Sequence, residues 1–414
     1  MTHPVYDPLD AGFLADPYPA YAWLRDHEPV HQRPATPRTP AFWALSRFSD
    51  IWEAVRQPGL FSSAQGLTFF PDEIALLGLP PNIVMLDPPQ HTRLRSLIGR
   101  GFTPRHVTRL EESVTRFVRA RLAEMAERYD AGEQVDLHRD YSSTVPTFVL
   151  AELFGVPEGD RERFGPWVRN VTALQDATLN GGGLGAPERA DGIGAVAELL
   201  AYFSDVISER RAAGTSGELP GDLIGALVGA ELDGERLSDW DILGFCFVVT
   251  AGGSDTTAAL ISHAVMLLDD APDQRLLLLE DPGLIGTAIA EFLRVESPVQ
   301  GLARATTADV TLHGVTIPAG EKVMMLYGAA NRDPREFGPD ADRLDVRREA
   351  GRHLAFSSGP HFCIGNHLAR LQARVALTEL LARYPRIGVD VAAGIRHESA
   401  FVRGWTSLPA TDLA

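Results

Sequence analysis

The sequence has little of three things: cysteine, lysine and long apolar runs. Its 414 residues include only two cysteines, Cys246 and Cys363. Two cysteines cannot form a disulfide framework, which predicts a reducing, cytoplasmic location. The longest apolar run, Ile242 to Gly253, is about a dozen residues, against roughly 20 needed to cross a bilayer, and predicts a buried helix. Met1 to Asp10 shows no signal-peptide pattern, so we expect neither export nor a membrane partner.

Positive charge is also scarce. The chain carries 38 Lys+Arg, of which Lys322 is the only lysine, against 55 Asp+Glu, and its net charge is -17. Such an acidic chain is a poor partner for nucleic acid or an anionic membrane. With 45% hydrophobic residues, a chain of this length can bury a large core without structural metals. No internal repeat or low-complexity linker is found, which predicts one domain over residues 1–414.

Apolar residues at helical spacing dominate the rest of the sequence. They predict long helices over 105–130, 140–154, 160–179, 188–213, 238–269, 284–296 and 365–383. Strand-like alternation is confined to Phe42 to Leu45, Val310 to Ile317 with a turn at His313-Gly314, and Lys322 to Leu326. The predicted fold class is therefore mainly α with a smaller β region.

Two loops differ from ordinary connections. Ser62 to Pro89 is long and unusually apolar, which predicts that it folds inward over an apolar ligand. Asn180 to Pro187 is glycine-rich and joins two predicted helices, so it can act as a hinge. Ordinary loop packing is the alternative for both.

The segment Phe356 to Gly365 places Cys363 between a glycine-bearing loop and the start of a predicted helix. Helix amino ends stabilise anions, so a cysteine there tends towards thiolate, the form that ligates metal. Gly359 and Gly365 would let the backbone pass close to a flat cofactor.

Two other interpretations of Cys363 stay open at this point. A lone cysteine is often a buried core residue. His361, Cys363 and His367 could also bind zinc, although they lack a fourth ligand at finger-like spacing.

Within the long central helix, the run Gly252 to Thr257 interrupts an apolar face with two glycines, an acid and three hydroxyls. Glycine costs ~1 kcal/mol relative to alanine inside a helix, and a threonine hydroxyl can bond the carbonyl four residues back. The run therefore predicts a local distortion of the kind found at functional sites. A close contact between helices through small residues is the alternative.

Together these motifs resemble the cytochrome P450 superfamily. Its signature is Phe, two residues, Gly, any residue, Arg or His, any residue, Cys, any residue, Gly, and every anchor matches between Phe356 and Gly365. Further motifs agree in the family's order across residues 87–365, and the whole sequence looks most like actinobacterial members. The resemblance implies a triangular helical prism, with haem b (iron protoporphyrin IX) between the long central helix and the helix after the Cys loop.

The resemblance also implies roles for individual residues. Cys363 becomes the axial ligand, and a thiolate ligand favours O–O cleavage. Thr256 would hold dioxygen and Asp255 would help to relay protons. The residues assigned to cofactor binding are His91, Arg95, Arg304 and His361 at the haem propionates, with Phe356, Gly359, Gly365 and Gly252.

Other assignments concern fold integrity, substrate and redox partner. Glu291, Arg294 and Arg343 match a buried structural set. The segment from His91 to Arg109 has no acidic residue. Its arginines and two from the last helix predict a basic patch for an acidic ferredoxin: Arg93, Arg100, Arg105, Arg109, Arg370 and Arg374. The expected apolar substrate cavity is lined by Phe69, Phe70, Leu77, Val84, Leu174, Phe245, Val248, Val249, Val299, Leu302 and Phe401.

The sequence thus predicts a haem-thiolate monooxygenase that inserts one oxygen atom of O2 into an apolar small molecule by hydroxylation or epoxidation. Electrons would come from NAD(P)H through a separate ferredoxin reductase and ferredoxin, since 414 residues leave no room for a fused reductase domain. The resemblance makes secondary metabolism or lipid oxidation the expected setting. A haem-thiolate sensor without turnover and a peroxide-driven peroxygenase are the alternatives, and the acid-alcohol pair argues against both.

Overall fold

Helices form most of the computed structural model. The residues that the structure describes are 6–71, 82–102, 104–179, 186–214, 221–232 and 234–413. The α-helices among them are α1 (Ala11–Ala15), α2 (Tyr18–His27), α3 (Phe48–Ala54), α4 (Gln90–Ile98), α5 (Pro104–Arg109), α6 (Glu111–Asp130), α7 (Thr144–Phe154), α8 (Arg161–Leu179), α9 (Ala186–Gly214), α10 (Leu223–Val228), α11 (Asp239–Gly253), α12 (Asp255–Asp270), α13 (Pro272–Glu280), α14 (Ile285–Val295), α15 (Tyr327–Ala330), α16 (Pro334–Phe337) and α17 (Asn366–Arg383). Short 3-10 helices lie at Ile83–Met85, Gly99–Phe102, Glu158–Asp160, Pro282–Leu284 and Gly359–His361, and a π-helix at Leu137–Ser142.

The strands are short and form small sheets. They are β1 (Val30–Arg33), β2 (Phe42–Leu45), β3 (Phe61–Ser62), β4 (Glu231–Leu232), β5 (Glu235–Arg236), β6 (Leu302–Thr306), β7 (Val310–Leu312), β8 (Val315–Ile317), β9 (Lys322–Met325), β10 (Ile387–Val389), β11 (Ile395–Arg396), β12 (Trp405–Ser407) and β13 (Ala410–Leu413). The largest sheet has the order β1-β2-β9-β6-β3, and only its β2-β9 pair is parallel. A mainly α fold with a smaller β region is confirmed.

Most predicted elements occur with shifted ends. The helix expected over 105–130 is two helices, α5 and α6, because the N–H of Leu110 bonds the carbonyl of Val107, only three residues back. The β7-β8 hairpin turns at His313 and Gly314, whose φ angles of 50° and 77° suit a two-residue turn.

The two singled-out loops fall partly outside the described residues. Leu77 lies outside them, as does most of the glycine-rich run after α8. Of the apolar loop, Phe69 and the Ile83–Met85 turn are described, and both are buried, as expected for a segment that folds inward.

The central helices α11 and α12 pass through the core. A capping box fixes the start of α11: Ser238 Oγ accepts from the N–H of Asp241, whose carboxylate accepts from the N–H of Ser238. Taken as one run, Asp239–Asp270 is long and apolar enough to cross a membrane, with a mean hydropathy of 1.3 in its most apolar window. Half of that window is buried inside this fold, as expected for a core helix.

A buried ion network joins α14 to the segment before the Cys loop. Glu291 and Arg294 are both fully buried, and Arg294 Nε and Nη2 each donate to the Glu291 carboxylate at 2.7 Å. The third cation is Arg348, whose Nε donates to Glu291 Oε1 at 3.1 Å. The expectation of Arg343 is wrong: it is exposed and contributes its backbone carbonyl, which accepts from Arg294.

Replacing the two candidate arginines tests this network. Arg348→Met should lower the free energy of unfolding by about 1.5–3 kcal/mol, because it removes hydrogen bonds to a buried carboxylate. Arg343→Met, the matched control, should change it by less than ~0.5 kcal/mol. Urea denaturation followed by circular dichroism measures both. A larger loss for Arg343→Met would contradict the assignment.

Candidate active site

The Cys loop is held in a backbone shape that requires glycine. Gly359 has φ of 68°, and a Cβ there would lie 2.8 Å from the carbonyl oxygen of Val55. The loop then turns so that the N–H of Cys363 donates to the carbonyl of Phe356 at 2.9 Å. These constraints place Cys363 directly before the first turn of α17, as the sequence predicts.

The surroundings of Cys363 have opposing effects on the pKa of its thiol. Burial raises the pKa of the thiol, while the backbone N–H of Gly365, the positive charge of Arg95 and the N–H of Asn366 lower it. Hydrogen-bond donors that point at the sulfur stabilise the thiolate, which forms when a metal cation displaces the thiol proton. Cys246 differs, because it is fully buried in the apolar core and burial raises the pKa of its thiol strongly.

The central helix breaks where the sequence predicts a distortion. Ser254, between α11 and α12, has ψ of -71°, and no side chain caps the new helix start. Thr256 Oγ1 donates to the carbonyl of Gly252 at 2.8 Å. A Cβ built on Gly252 would meet nothing within 4 Å, so the helix leaves open space at this point.

Four basic side chains converge near the Cys loop. The rings of His91 and His361 lie 4.1 Å apart, and Arg95 Nη2 donates to the carbonyl of Phe362 at 2.6 Å. Burial, then Arg304, His91 and Arg95, lower the pKa of His361 to about 3. Burial and Arg95 likewise lower the pKa of His91. Burial and the charge of the two arginines thus disfavour protonation of the histidines, and an anionic ligand would offset that positive charge.

These residues fit the haem that the resemblance implies. His91 Nδ1 is buried without a hydrogen-bond partner among the described residues, and Arg304 is only 3% exposed on β6. A ligand with two carboxylates would supply acceptors there. By contrast, the described residues contain no group of three His, Cys, Asp or Glu side chains that could hold a metal ion, so the zinc interpretation is wrong.

The residues expected to line a substrate cavity divide into two sets. Phe69, Phe245 and Phe401 are at most 2% exposed, so they lie within the packed core rather than on a cavity surface. Phe69 stacks between Phe42 and Phe401, which explains its complete burial. Leu174 packs closely against α9 at Gly192. Val249 is buried, and the partly exposed members are Phe70, Val84, Val248, Val299 and Leu302.

The basic patch is less positive than its sequence predicts, because two partners come from elsewhere in the chain. Arg93 pairs with Glu235, and Arg374 pairs with Glu111 at 2.8 Å. Arg370 lies over the ring of Phe356, 5.2 Å from its centroid, and contacts His353. Arg109 is exposed, while the side chains of Arg100 and Arg105 lie outside the described set.

Two residues near Asp255, His138 and His397, were not predicted from the sequence as site residues. His397 Nε2 lies 4.0 Å from Asp255 Oδ2, and the ring of His138 lies 6.4 Å from that of His397. Both histidines and Asp255 line a cleft of about 2050 Å3, which neither Thr256 nor Cys363 lines. Only the folded chain brings these distant positions together.

Comparison with known proteins gives one family throughout. The family model described as Cytochrome P450 matches residues 283–386. A Mycobacterium tuberculosis protein named Cytochrome P450 130 is 43% identical over 398 residues, covering 95% of this chain and 94% of that protein. The Vitamin D(3) 25-hydroxylase of Pseudonocardia autotrophica is 38% identical, covering 98% of this chain and 96% of that protein.

Solved structures agree with the sequence relatives. The structure of a Mycobacterium marinum cytochrome P450 in complex with pseudoionone superposes with a TM-score of 0.84 at 34% identity, covering 100% of both chains. The Cys loop, the broken central helix and the basic cluster thus occur in a fold and sequence shared over the whole length. The chain belongs to the cytochrome P450 family of monooxygenases.

Proposed function

We propose that the chain is a haem-thiolate monooxygenase that inserts one oxygen atom of O2 into an apolar small molecule, by hydroxylation or epoxidation. The observation that carries the proposal is the broken central helix. There, the Thr256 hydroxyl bonds the Gly252 carbonyl and Asp255 begins the next turn. A hydroxyl and an acid side by side suit the handling of protons, which a haem protein that only binds ligands does not need.

The proposed cofactor is haem b, which when bound supplies the redox chemistry of O2 activation. Cys363 would hold its iron. The basic cluster of His91, Arg95, Arg304 and His361 would bind its two propionates, whose negative charge would offset that of the two arginines. The mass of the extracted cofactor tests this identity, and any mass other than that of protoporphyrin IX with iron would contradict it.

The residues of the central helix then have distinct tasks. Thr256 Oγ1 donates its own hydrogen to the Gly252 carbonyl, so its lone pairs stay available to accept a hydrogen bond. Asp255 can hold a proton on its carboxylate at the adjoining position. Gly252 keeps the helix surface open where the cofactor and O2 must approach.

We also propose that the substrate is apolar, like the vitamin D(3) named for one relative. The expected lining residues that are partly exposed, Phe70, Val84, Val248, Val299 and Leu302, are all apolar and uncharged, which suits an apolar ligand. We also propose a cytoplasmic location and a single haem domain. Neither cysteine forms a disulfide, which suits a reducing compartment. One core cluster joins residues from Ile83 to Leu413, which suits a single domain.

Removing one hydroxyl tests the proposed chemistry. An apolar ligand that changes the haem spectrum serves as the substrate. When the reaction is run under 18O2, mass spectrometry of the product should show one labelled oxygen atom. Thr256→Val should lower the product-forming rate by about 100-fold and divert NAD(P)H electrons to hydrogen peroxide, because positioned proton transfer contributes on that order.

Thr257→Val is the matched control, since it removes the neighbouring hydroxyl at a buried position, and it should keep the product yield. If the two variants behave alike, Thr256 has no special role. If the wild-type protein binds apolar ligands but never incorporates 18O, it is a sensor rather than a monooxygenase.

We propose a ferredoxin, reduced by its NAD(P)H-dependent reductase, as electron donor. Exposed Arg109 and the nearby acid-free stretch of sequence support an acidic partner, although Glu111 and Glu235 reduce the net field. Neutralising Arg100, Arg105 and Arg109 to Gln should slow reduction at low salt and flatten its salt dependence, measured by stopped flow. Neutralising Arg116 and Arg121, which pair with Glu112 and Glu124, is the control. A triple variant with wild-type rate and salt dependence would contradict the patch.

A further inference from the structure

The cleft that reaches Asp255 is lined by apolar side chains together with many ionisable ones. Its volume is about 2050 Å3, and its open shape connects Asp255 with solvent. Side chains that titrate or carry charge there are Arg38, His138, Arg139, Glu158, Arg161, Glu162, Arg169, Asp255, Arg396, His397 and Glu398. Among these, His397 and Asp255 form a close pair. Asp255 begins α12, and His397 directly follows β11.

His397 is held against the central helix by the β11-β12 hairpin. Its N–H donates to the carbonyl of Gly404 at 3.2 Å. A Cβ on Gly404 would lie 3.1 Å from His397 Cδ2 and 3.2 Å from the Cβ of Ala259 on α12. The absence of a side chain at position 404 therefore lets the hairpin and its histidine approach α12 closely.

The separation of the pair suits proton exchange. His397 Nε2 and Asp255 Oδ2 are 4.0 Å apart, and their side chains are 13% and 21% exposed. A single water can bridge such a gap, and a small side-chain rotation can close it. Both groups are partly shielded, so their interaction is stronger than that of a surface pair.

The second histidine of the cleft does not compete for this role. His138 Nδ1 lies 3.4 Å from Ser262 Oγ, and burial followed by the charge of His397 lowers the pKa of His138 to about 4. His138 is therefore neutral near pH 7. The other charged groups of the cleft are Arg396 and Glu398 beside His397 in sequence, Arg139 on the π-helix, Arg38 between β1 and β2, and four on or just before α8: Glu158, Arg161, Glu162 and Arg169.

We propose that His397 is a positioning residue that supplies protons from the cleft to Asp255. The imidazolium gives the proton on Nε2 to Asp255 Oδ2, the neutral ring regains a proton from bulk solvent through water in the cleft, and no electrons move. This inference rests on the proposed function, because a monooxygenase consumes protons at each turnover. It adds a side chain far along the chain from the helix that carries the acid.

The first test uses the holoenzyme and its pH profile. The fraction of NAD(P)H that forms product should fall in the wild type as pH rises through the histidine titration. His397→Gln should lower this fraction about tenfold at pH 6 and remove the pH dependence, a smaller loss than for a group that acts directly. The double variant His397→Gln with Asp255→Asn should lose no more than Asp255→Asn alone, because the two residues act in series.

His313→Gln is the control, since His313 pairs with Asp50 at 2.7 Å on the β7-β8 hairpin and lies outside the cleft. It should follow the wild-type profile. Gly404→Ala provides a second variant that displaces His397 without removing it, and should resemble His397→Gln if its thermal unfolding stays cooperative. A His397→Gln profile that superposes on the wild type would overturn the proposal.

The second test needs no turnover. In the carbon monoxide complex of the reduced holoprotein, the ring resonances of His397 can be followed against pH by NMR. Asp255→Asn should move their titration midpoint to lower pH, because a nearby carboxylate favours the imidazolium. The midpoint of His313 should not move.

The two tests separate the inference from the proposed function. If the wild type forms no product, the function fails, and the NMR midpoint alone decides whether His397 and Asp255 are coupled. If the wild type forms product but Asp255→Asn leaves the His397 midpoint unchanged, only the inference fails.

Discussion

A buried sulfur at the start of a helix sets the requirement that much of the fold meets. Cys363 must stay directly before the first turn of α17, where amide N–H groups favour its anion. Two buried tyrosines fix that helix: Tyr141 donates to the carbonyl of Ala376, and Tyr384, at its end, donates to the carbonyl of Leu122. The position of the sulfur is therefore determined by contacts with the helical core and not only by its own loop.

Buried charge extends this control to the segments on both sides of the site. Arg294 donates to the carbonyl of Asn331, whose side chain accepts from the N–H of Leu354, just before the Cys loop. A second network centres on Glu296. Burial raises the pKa of Glu296, but Arg403 and neighbouring groups lower it to about 2, so the carboxylate stays ionised. Arg403 directly precedes Gly404, whose carbonyl accepts from the N–H of His397. The ion pair between Glu296 and Arg403 therefore also anchors the segment that reaches Asp255.

The features that the sequence predicted are contiguous ones. The Cys loop and the Gly252-Thr256 break are short runs whose local chemistry dictates their shape, and both occur as expected. Roles that depend on the path of the chain were harder to predict. Arg343 and Arg348 lie in one loop, and only the folded backbone decides which side chain turns towards Glu291. His397 has no local pattern at all, since its partner Asp255 belongs to another element.

Aromatic side chains show the same limit. Phe69 lies in an apolar loop that was expected to cover a ligand, and the loop does fold inward, but Phe42 and Phe401 take up its ring. Hydrophobicity predicts burial without specifying the partner, because apolar contacts have little directionality. Distinguishing a core position from a cavity position therefore needed the packed structure.

The central claim is that Cys363 is a thiolate ligand of haem iron, and one spectrum tests it most directly. The purified protein is reduced, carbon monoxide is added and the difference spectrum is recorded for the wild type and for Cys363→Ser. The account predicts a strongly red-shifted Soret band, typical of thiolate ligation, in the wild type and its loss in the variant. A wild-type protein without haem, or one with the unshifted band of histidine ligation, would contradict it.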